Sequence, residues 1–150
     1  MKTIRITKEF VFDMAHALHE YNGLCRNIHG HTYKLQVCLK GAINEDSSSP
    51  TKGMVMDFGD LKKIVKTDIV DRFDHALVLN KEHDLHEDIK KFQQEDKYII
   101  VPFQPTCENL VAYFAEYISN KLPDGIDLHS IRLYETPTSW GEWFAEDNKS

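Results

Sequence analysis

The chain has 150 residues, 41% of them apolar and 11% aromatic, which is too rich for disorder and suits one domain spanning residues 1–150. A formal net charge of -6 argues against a generic nucleic-acid or anionic-membrane surface, while leaving room for a local Lys/Arg cluster around a phosphate. Apolar stretches such as Tyr98-Ile99-Ile100-Val101 fall far short of the roughly 18–20 residues that cross a bilayer, so neither nucleic acid nor membrane is an expected partner.

Ile4, Ile6, Phe10 and Phe12 recur at even spacing and predict a first strand over residues 3–13. No apolar run of signal-peptide length follows Met1-Lys2-Thr3-Ile4. Tyr33, Leu35, Val37 and Leu39 alternate with Thr32, Lys34, Gln36 and Cys38, the pattern of a half-buried second strand. Gly41 to Gly53, with its serines and Pro50, reads as a loop. Asp57-Phe58-Gly59-Asp60 then opens a helix with Leu61, Ile64, Val65 and Ile69 on one face and Asp60 as the expected N-cap. Residues 82–97 are highly charged, and Leu85, Ile89 and Phe92 suggest a short surface helix or an ordered insertion.

A second long helix starts at Thr106, whose hydroxyl can cap it, and buries Leu110, Tyr113, Phe114, Tyr117 and Ile118. Pro123-Asp124-Gly125 is a turn, Ile131 and Leu133 mark a third strand, and Trp140 to Ala145 a fourth. The order ββααββ predicts an α+β fold, an antiparallel β-sheet with helices on one face. The other sheet face is left for something else to cover, such as a sister subunit.

His29-Gly30-His31 enters the second strand, where residues two apart point the same way. His16 follows the first strand, and an antiparallel hairpin would carry it back beside that pair. Three neutral imidazoles suit zinc in a catalytic arrangement with one open position; the competing reading is of ordinary surface or core histidines. Cys25 has three readings: a fourth ligand closing a structural site, an acid/base group beside the metal, or an inert thiol. Spacing does not choose among them. Three cysteines, Cys25, Cys38 and Cys107, form neither an even disulfide framework nor a Cys-x-x-Cys pair, and the cytoplasm is the expected compartment.

Asp74-His75, flanked by Phe73 and Ala76-Leu77, is either a proton relay or a histidine facing a helix C-terminus. Glu135 continues the inward phase of Ile131 and Leu133, where a carboxylate must be paired with a basic residue or meet a ligand. His19, His83, His86 and His129 show no comparable spacing and read as solvated or structural.

Taken in order, Cys25-x-x-x-His29-Gly30-His31, Met56-Asp57-Phe58-Gly59-Asp60-Leu61, Phe73-Asp74-His75, Pro105-Thr106-Cys107-Glu108-Asn109 and Glu135-Thr136 resemble the 6-pyruvoyl-tetrahydropterin synthase superfamily, of the tunnelling fold. The three residues between Cys25 and His29 are similar to the spacing in bacterial 6-carboxy-5,6,7,8-tetrahydropterin synthases of queuosine biosynthesis. Animal-type 6-pyruvoyl-tetrahydropterin synthases have a longer gap there, and folate-pathway variants use glutamate for the cysteine's role. The stretch from about Lys81 to Lys97 is longer than in the compact bacterial enzymes, and Cys107 stands where a small alanine is common.

The resemblance implies that His16, His29 and His31 bind catalytic zinc, with Cys25 as general base and Asp74 with His75 as the partner relay. Glu135 would anchor the pterin through its guanidine-like N–H groups, and Thr106 would help define that pocket. The implied reaction converts 7,8-dihydroneopterin triphosphate to 6-carboxy-5,6,7,8-tetrahydropterin with loss of acetaldehyde and triphosphate. Rivals are 6-pyruvoyl-tetrahydropterin synthase activity, which keeps the three-carbon side chain, and a non-catalytic zinc-stabilised module. The resemblance also implies trimers that close a β-barrel, two of them forming a homohexamer with active sites between subunits.

Overall fold

Alternating apolar and polar side chains produce two 14-residue strands, β1 (Thr3–His16) and β2 (His29–Ala42), in a computed structural model that describes residues 1–149. They pair antiparallel without a slip from Thr3↔Ala42 to His16↔His29. Phe10, Phe12 and Met14 therefore share a face with Tyr33, Leu35, Val37 and Leu39, and all seven are buried. The same pairing brings the end of β1 opposite the start of β2, so His16 lies directly across from His29.

β5 (Ile126–Thr136) and β6 (Ser139–Phe144) extend this sheet antiparallel on the β2 side. A bulge opposite Cys38 and Leu39 shifts the phase of β5, so Leu128 faces inward before it and Ile131 and Leu133 after it. On the β1 side come β3 (Ala76–Asn80) and β4 (Tyr98–Val101), both parallel to their neighbours, giving the order β4-β3-β1-β2-β5-β6.

The α+β class with inward-facing helices holds, while the sheet is mixed and has two strands beyond the four expected. Ala76-Leu77-Val78-Leu79 is a continuous apolar run, buried on both faces, and so lacks the alternation that reveals a one-sided strand. Its second face is covered by the charged 81–97 segment. Ile89, on the short helix α3 (His86–Ile89), packs with Leu77, Leu79 and Ala17, and Leu85 leans on the same cluster. Phe92, the third member of that predicted stripe, is exposed. With α1 (Phe58–Val65) and α2 (Asp71–Phe73), α3 precedes the longest helix, α4 (Cys107–Ser119).

Asp57, not Asp60, caps α1: its carboxylate accepts from the Gly59 N–H at 2.6 Å, and Asp60 sits in the first turn. The helical stretch does not run evenly to Phe73. Lys66–Val70 forms a π-turn that rotates both Ile69 and Val70 into the core before α2. Thr106 caps α4 as expected, accepting from the Asn109 N–H at 3.2 Å. Leu110, Phe114 and Ile118 are buried, while Tyr113 and Tyr117 pack at the core's margin. The core lies between this helical layer and one sheet face; on the opposite face Val11 and Trp140 are exposed.

Candidate active site

The end of the β1/β2 hairpin, covered by the segment entering α4, brings three imidazoles together. One ring nitrogen from each of His16, His29 and His31 lies within 4.8 Å of the other two. His16 Nδ1 donates to the Pro105 carbonyl at 2.7 Å, and His29 Nδ1 to the Asn27 carbonyl at 2.7 Å. Those bonds place the proton on Nδ1 of each ring and the lone pair on Nε2. The two Nε2 atoms nevertheless face each other at 3.1 Å, with two lone pairs and no proton between them. His31 Nε2 is buried and has no hydrogen-bond partner among the described residues.

Nitrogens held about 2.0–2.1 Å from a shared tetrahedral ion would stand about 3.3 Å apart, close to the 3.1 Å between His16 Nε2 and His29 Nε2. The donor set therefore fits a divalent metal. Burial pushes the His16 imidazole down from 6.5 to about 4, against the pull of the Pro105 carbonyl, and its two histidine neighbours add to the fall. Burial also lowers His31, outweighing the Glu135 carboxylate that favours its cation. Both rings are thus neutral and ligand-ready at ordinary pH.

Glu135 Oε1 lies 3.7 Å from His31 Nε2, beside the three imidazoles, on the inward phase expected for it. A neutral His31 does not make a full ion pair with it, so the carboxylate keeps acceptor capacity for a ligand. A cleft of about 500 Å³ opens here, lined by His31, Thr32, Lys34, Tyr134 and Glu135 among others. Thr106 stands behind the three imidazoles: by capping α4 it fixes the segment whose Pro105 carbonyl orients His16.

Asp74 and His75 are bonded to each other, Oδ2 to Nδ1 at 2.9 Å. The Asp13 N–H donates to Asp74 Oδ1 at 2.9 Å, and the His75 N–H to the Asp13 carbonyl at 2.6 Å, which clamps the pair to β1. The clamp holds His75 at φ +61°, an unusual left-handed conformation for a residue with a side chain. Burial, the largest influence, opposes ionisation of Asp74, yet the Asp13 amide, His75 and Lys97 together hold its carboxyl below the ordinary value. Lys97 also donates to the Asp74 carbonyl at 2.7 Å, a contact with no spacing signal in the sequence. The His75 ring is largely exposed and shares a cleft of about 360 Å³ with His31, Met14 and Gly30.

Cys25 is a free, half-buried thiol on a 3₁₀ turn, Leu24–Arg26. Its carbonyl accepts from the Leu18 N–H at 2.9 Å, which ties the turn to the end of β1. The Cys25 sulfur is not one of the ligand atoms that meet at the three imidazoles. Within one chain, then, His16, His29, His31 and Glu135 converge, Asp74 and His75 form a separate pair at an adjoining cleft, and Cys25 stands on its own turn.

Residues 5–146 match the family model described as 6-pyruvoyl tetrahydropterin synthase. The chain belongs to this family. It is 43% identical over 143 residues to a 6-carboxy-5,6,7,8-tetrahydropterin synthase from Haemophilus influenzae, covering 93% of this chain and 97% of the relative. A 6-pyruvoyl tetrahydrobiopterin synthase from Dictyostelium discoideum is 32% identical, with 93% and 94% covered. Among solved structures, the Caenorhabditis elegans 6-pyruvoyl tetrahydropterin synthase superposes with a TM-score of 0.67 at 26% identity, covering 97% of each chain. An uncharacterized protein from Wolinella succinogenes has the same fold, with a TM-score of 0.77 at 21% identity over 97% of this chain and 99% of that one. Membership makes the chain a pterin enzyme of lyase type, and no helix among the described residues is long and apolar enough to cross a membrane.

One grouping has no counterpart in the sequence reading. His19 and His83, both expected to be solvated or structural, bring their ligand atoms within 4.8 Å of each other and of Asp84. Sixty-odd residues separate His19 from His83, and only the fold of the 81–97 segment joins them.

Proposed function

We propose that this chain is a zinc-dependent 6-carboxy-5,6,7,8-tetrahydropterin synthase that converts 7,8-dihydroneopterin triphosphate to 6-carboxy-5,6,7,8-tetrahydropterin, with release of acetaldehyde and triphosphate. The observation that carries this reading is the 43% identity, over nearly the whole of both chains, to a relative bearing that name. The facing Nε2 lone pairs of His16 and His29 support the metal assignment, and three imidazoles with a free fourth position favour zinc.

His16, His29 and His31 hold the ion from the helix-covered side of the sheet end. When bound, zinc supplies a Lewis acid that polarises substrate side-chain oxygens and makes neighbouring protons easier to remove. Glu135 accepts two parallel hydrogen bonds from the ring and exocyclic N–H groups of the pterin, which fixes the ring edge and points the side chain at the metal. Thr106 shapes the same pocket through the turn it caps. Cys25 is the general base, and His75, oriented by the Asp74 carboxylate, moves a proton on the opposite side.

The exposed His75 and the solitary Cys25 suit sites completed between subunits, in trimers that close their sheets into a barrel and pair into a homohexamer. The enzyme works in the cytoplasm, in queuosine biosynthesis. Mass analysis of the product from 7,8-dihydroneopterin triphosphate tests the reaction. A carboxylated product with one acetaldehyde per turnover is expected; a product that retains three side-chain carbons would make the chain a 6-pyruvoyl-tetrahydropterin synthase instead.

A further inference from the structure

We propose that His19, His83 and Asp84 form a second divalent-metal site, separate from the three-histidine centre, that staples the 81–97 segment to the turn carrying Cys25. One ligand atom from each residue lies within 4.8 Å of the other two, and the His19 and His83 rings sit 5.5 Å apart between centroids. Two imidazoles and a carboxylate are the donor set of zinc and its neighbours in the first transition row.

Both histidines are held in place before any ion arrives. The Gln104 side chain grips the His19 backbone from two directions, its Oε1 accepting from the His19 N–H at 2.9 Å and its Nε2 donating to the His19 carbonyl at 2.8 Å. The turn after β3 is fixed by Asn80, whose carbonyl accepts from the His83 N–H at 2.9 Å and whose side chain accepts from the Glu82 N–H at 3.0 Å. His83 itself is only 7% exposed.

Acceptor atoms of His83 and Asp84 lie side by side in this cluster. His83 Nδ1 accepts from the Leu85 N–H at 3.2 Å, so it presents a lone pair, and Asp84 Oδ1 lies 3.5 Å from it. A divalent ion would take both atoms as ligands, in place of the long amide contact to Leu85. His86 is not available as a further ligand, because its ring is committed to the Tyr98 hydroxyl and the Asn80 carbonyl. A cleft of about 720 Å³ beside the cluster, bordered by Asn22 and Arg26, gives an ion and its waters a way in.

His83 and Asp84 belong to the charged insertion, and His19 to the loop that continues through Cys25 to the ligand His29. Leu18, next to His19, already bonds the Cys25 carbonyl at 2.9 Å. An ion held at His19 therefore restrains the loop that sets the position of Cys25.

The test is metal stoichiometry on the full-length protein, stripped with chelator, dialysed and titrated with Zn²⁺ alone, then with Co²⁺ followed by its visible spectrum. Two equivalents per chain are expected. Asp84→Asn, at an exposed position, and His19→Gln should each weaken the second equivalent at least about tenfold, since even partners behind a ligand cost that much, while the first is unchanged. His29→Ala combined with His31→Ala should remove one equivalent and leave the other. Uptake of a single equivalent by the wild type, or a second equivalent indifferent to both Asp84→Asn and His19→Gln, would overturn the proposal. Neither result bears on the reaction catalysed at the first site.

Discussion

His16 Nε2 lies 3.1 Å from His29 Nε2, and each ring has already spent its Nδ1 proton on a main-chain carbonyl. That arrangement is unfavourable on its own and favourable around a cation, so the metal-free fold carries a cost that the ion removes. The cost has a pH signature. Burial first, then its histidine neighbours, bring His16 from 6.5 to about 4 in the folded chain, although the Pro105 carbonyl pulls the other way. Between those values the unfolded chain binds more protons than the folded one, so stability is complete above about pH 6.5 and declines as pH falls toward 4. The shift corresponds to about 3 kcal/mol, and burial of His31 acts in the same direction. Denaturant melts of metal-free protein between pH 4 and 7 should show this loss; a flat profile would mean that His16 is hydrated and titrates normally.

Cys25 should be separable from the metal. Because its sulfur is not among the ligand atoms at the three imidazoles, Cys25→Ala should retain a full equivalent of zinc at the first site and lose turnover. A general base contributes typically about 10²–10⁴-fold, which sets the expected fall in kcat. Asp74→Asn should act through His75: the ring loses the carboxylate bonded at 2.9 Å, and kcat should drop with an unchanged zinc content. Full activity in Cys25→Ala would remove it from the mechanism.

Glu135 offers a sharper division between binding and chemistry. Its carboxylate accepts hydrogen bonds and carries charge, whereas the amide of Glu135→Gln presents one acceptor and one donor to a pterin edge that has only donors to give. Loss of about 1.5–3 kcal/mol, or roughly 10–100-fold in KM, is expected, with kcat moved less. The substitution also removes the charge 3.7 Å from His31, which should make that ring still harder to protonate. A fall confined to kcat would place Glu135 in proton transfer rather than in anchoring.

Much of this site was readable in the chain because its parts are close in sequence or set by strand phase. His29 and His31 are two apart on one strand, His16 closes the partner strand, and Glu135 continues the parity of Ile131 and Leu133. What the sequence hid has physical causes. Ala76-Leu77-Val78-Leu79 shows no alternation because both its faces are covered, one of them by Ile89 and Leu85 of the segment expected to be a short surface helix or an ordered insertion. The cap at Asp57 was assigned to Asp60 because both carboxylates precede the same apolar stripe, and only the Gly59 amide distinguishes them. The His19–His83 contact joins residues with no common element or period, so no pattern along the chain could announce it.

Tyr33 gives the last prediction. Its ring is fully buried in the core, stacked on Phe12 at 5.5 Å and edge-on to His16 and His31, at 6.3 and 5.7 Å. Its hydroxyl has no hydrogen-bond partner among the described residues. Burial and the nearby Glu135 carboxylate raise its pKa, so it stays a neutral O–H at working pH. An unpaired buried hydroxyl costs about 1–3 kcal/mol, and Tyr33→Phe removes it while keeping the ring. The small space left behind recovers part of that gain, so a net stabilisation of about 1 kcal/mol is expected in denaturant melts of the metal-free protein. Beside His16 and His31, that hydroxyl is placed to meet a bound ligand. Tyr33→Phe should therefore raise stability and at the same time raise KM for the pterin triphosphate, and a destabilised variant with unaltered kinetics would show that the hydroxyl is a bonded structural group instead.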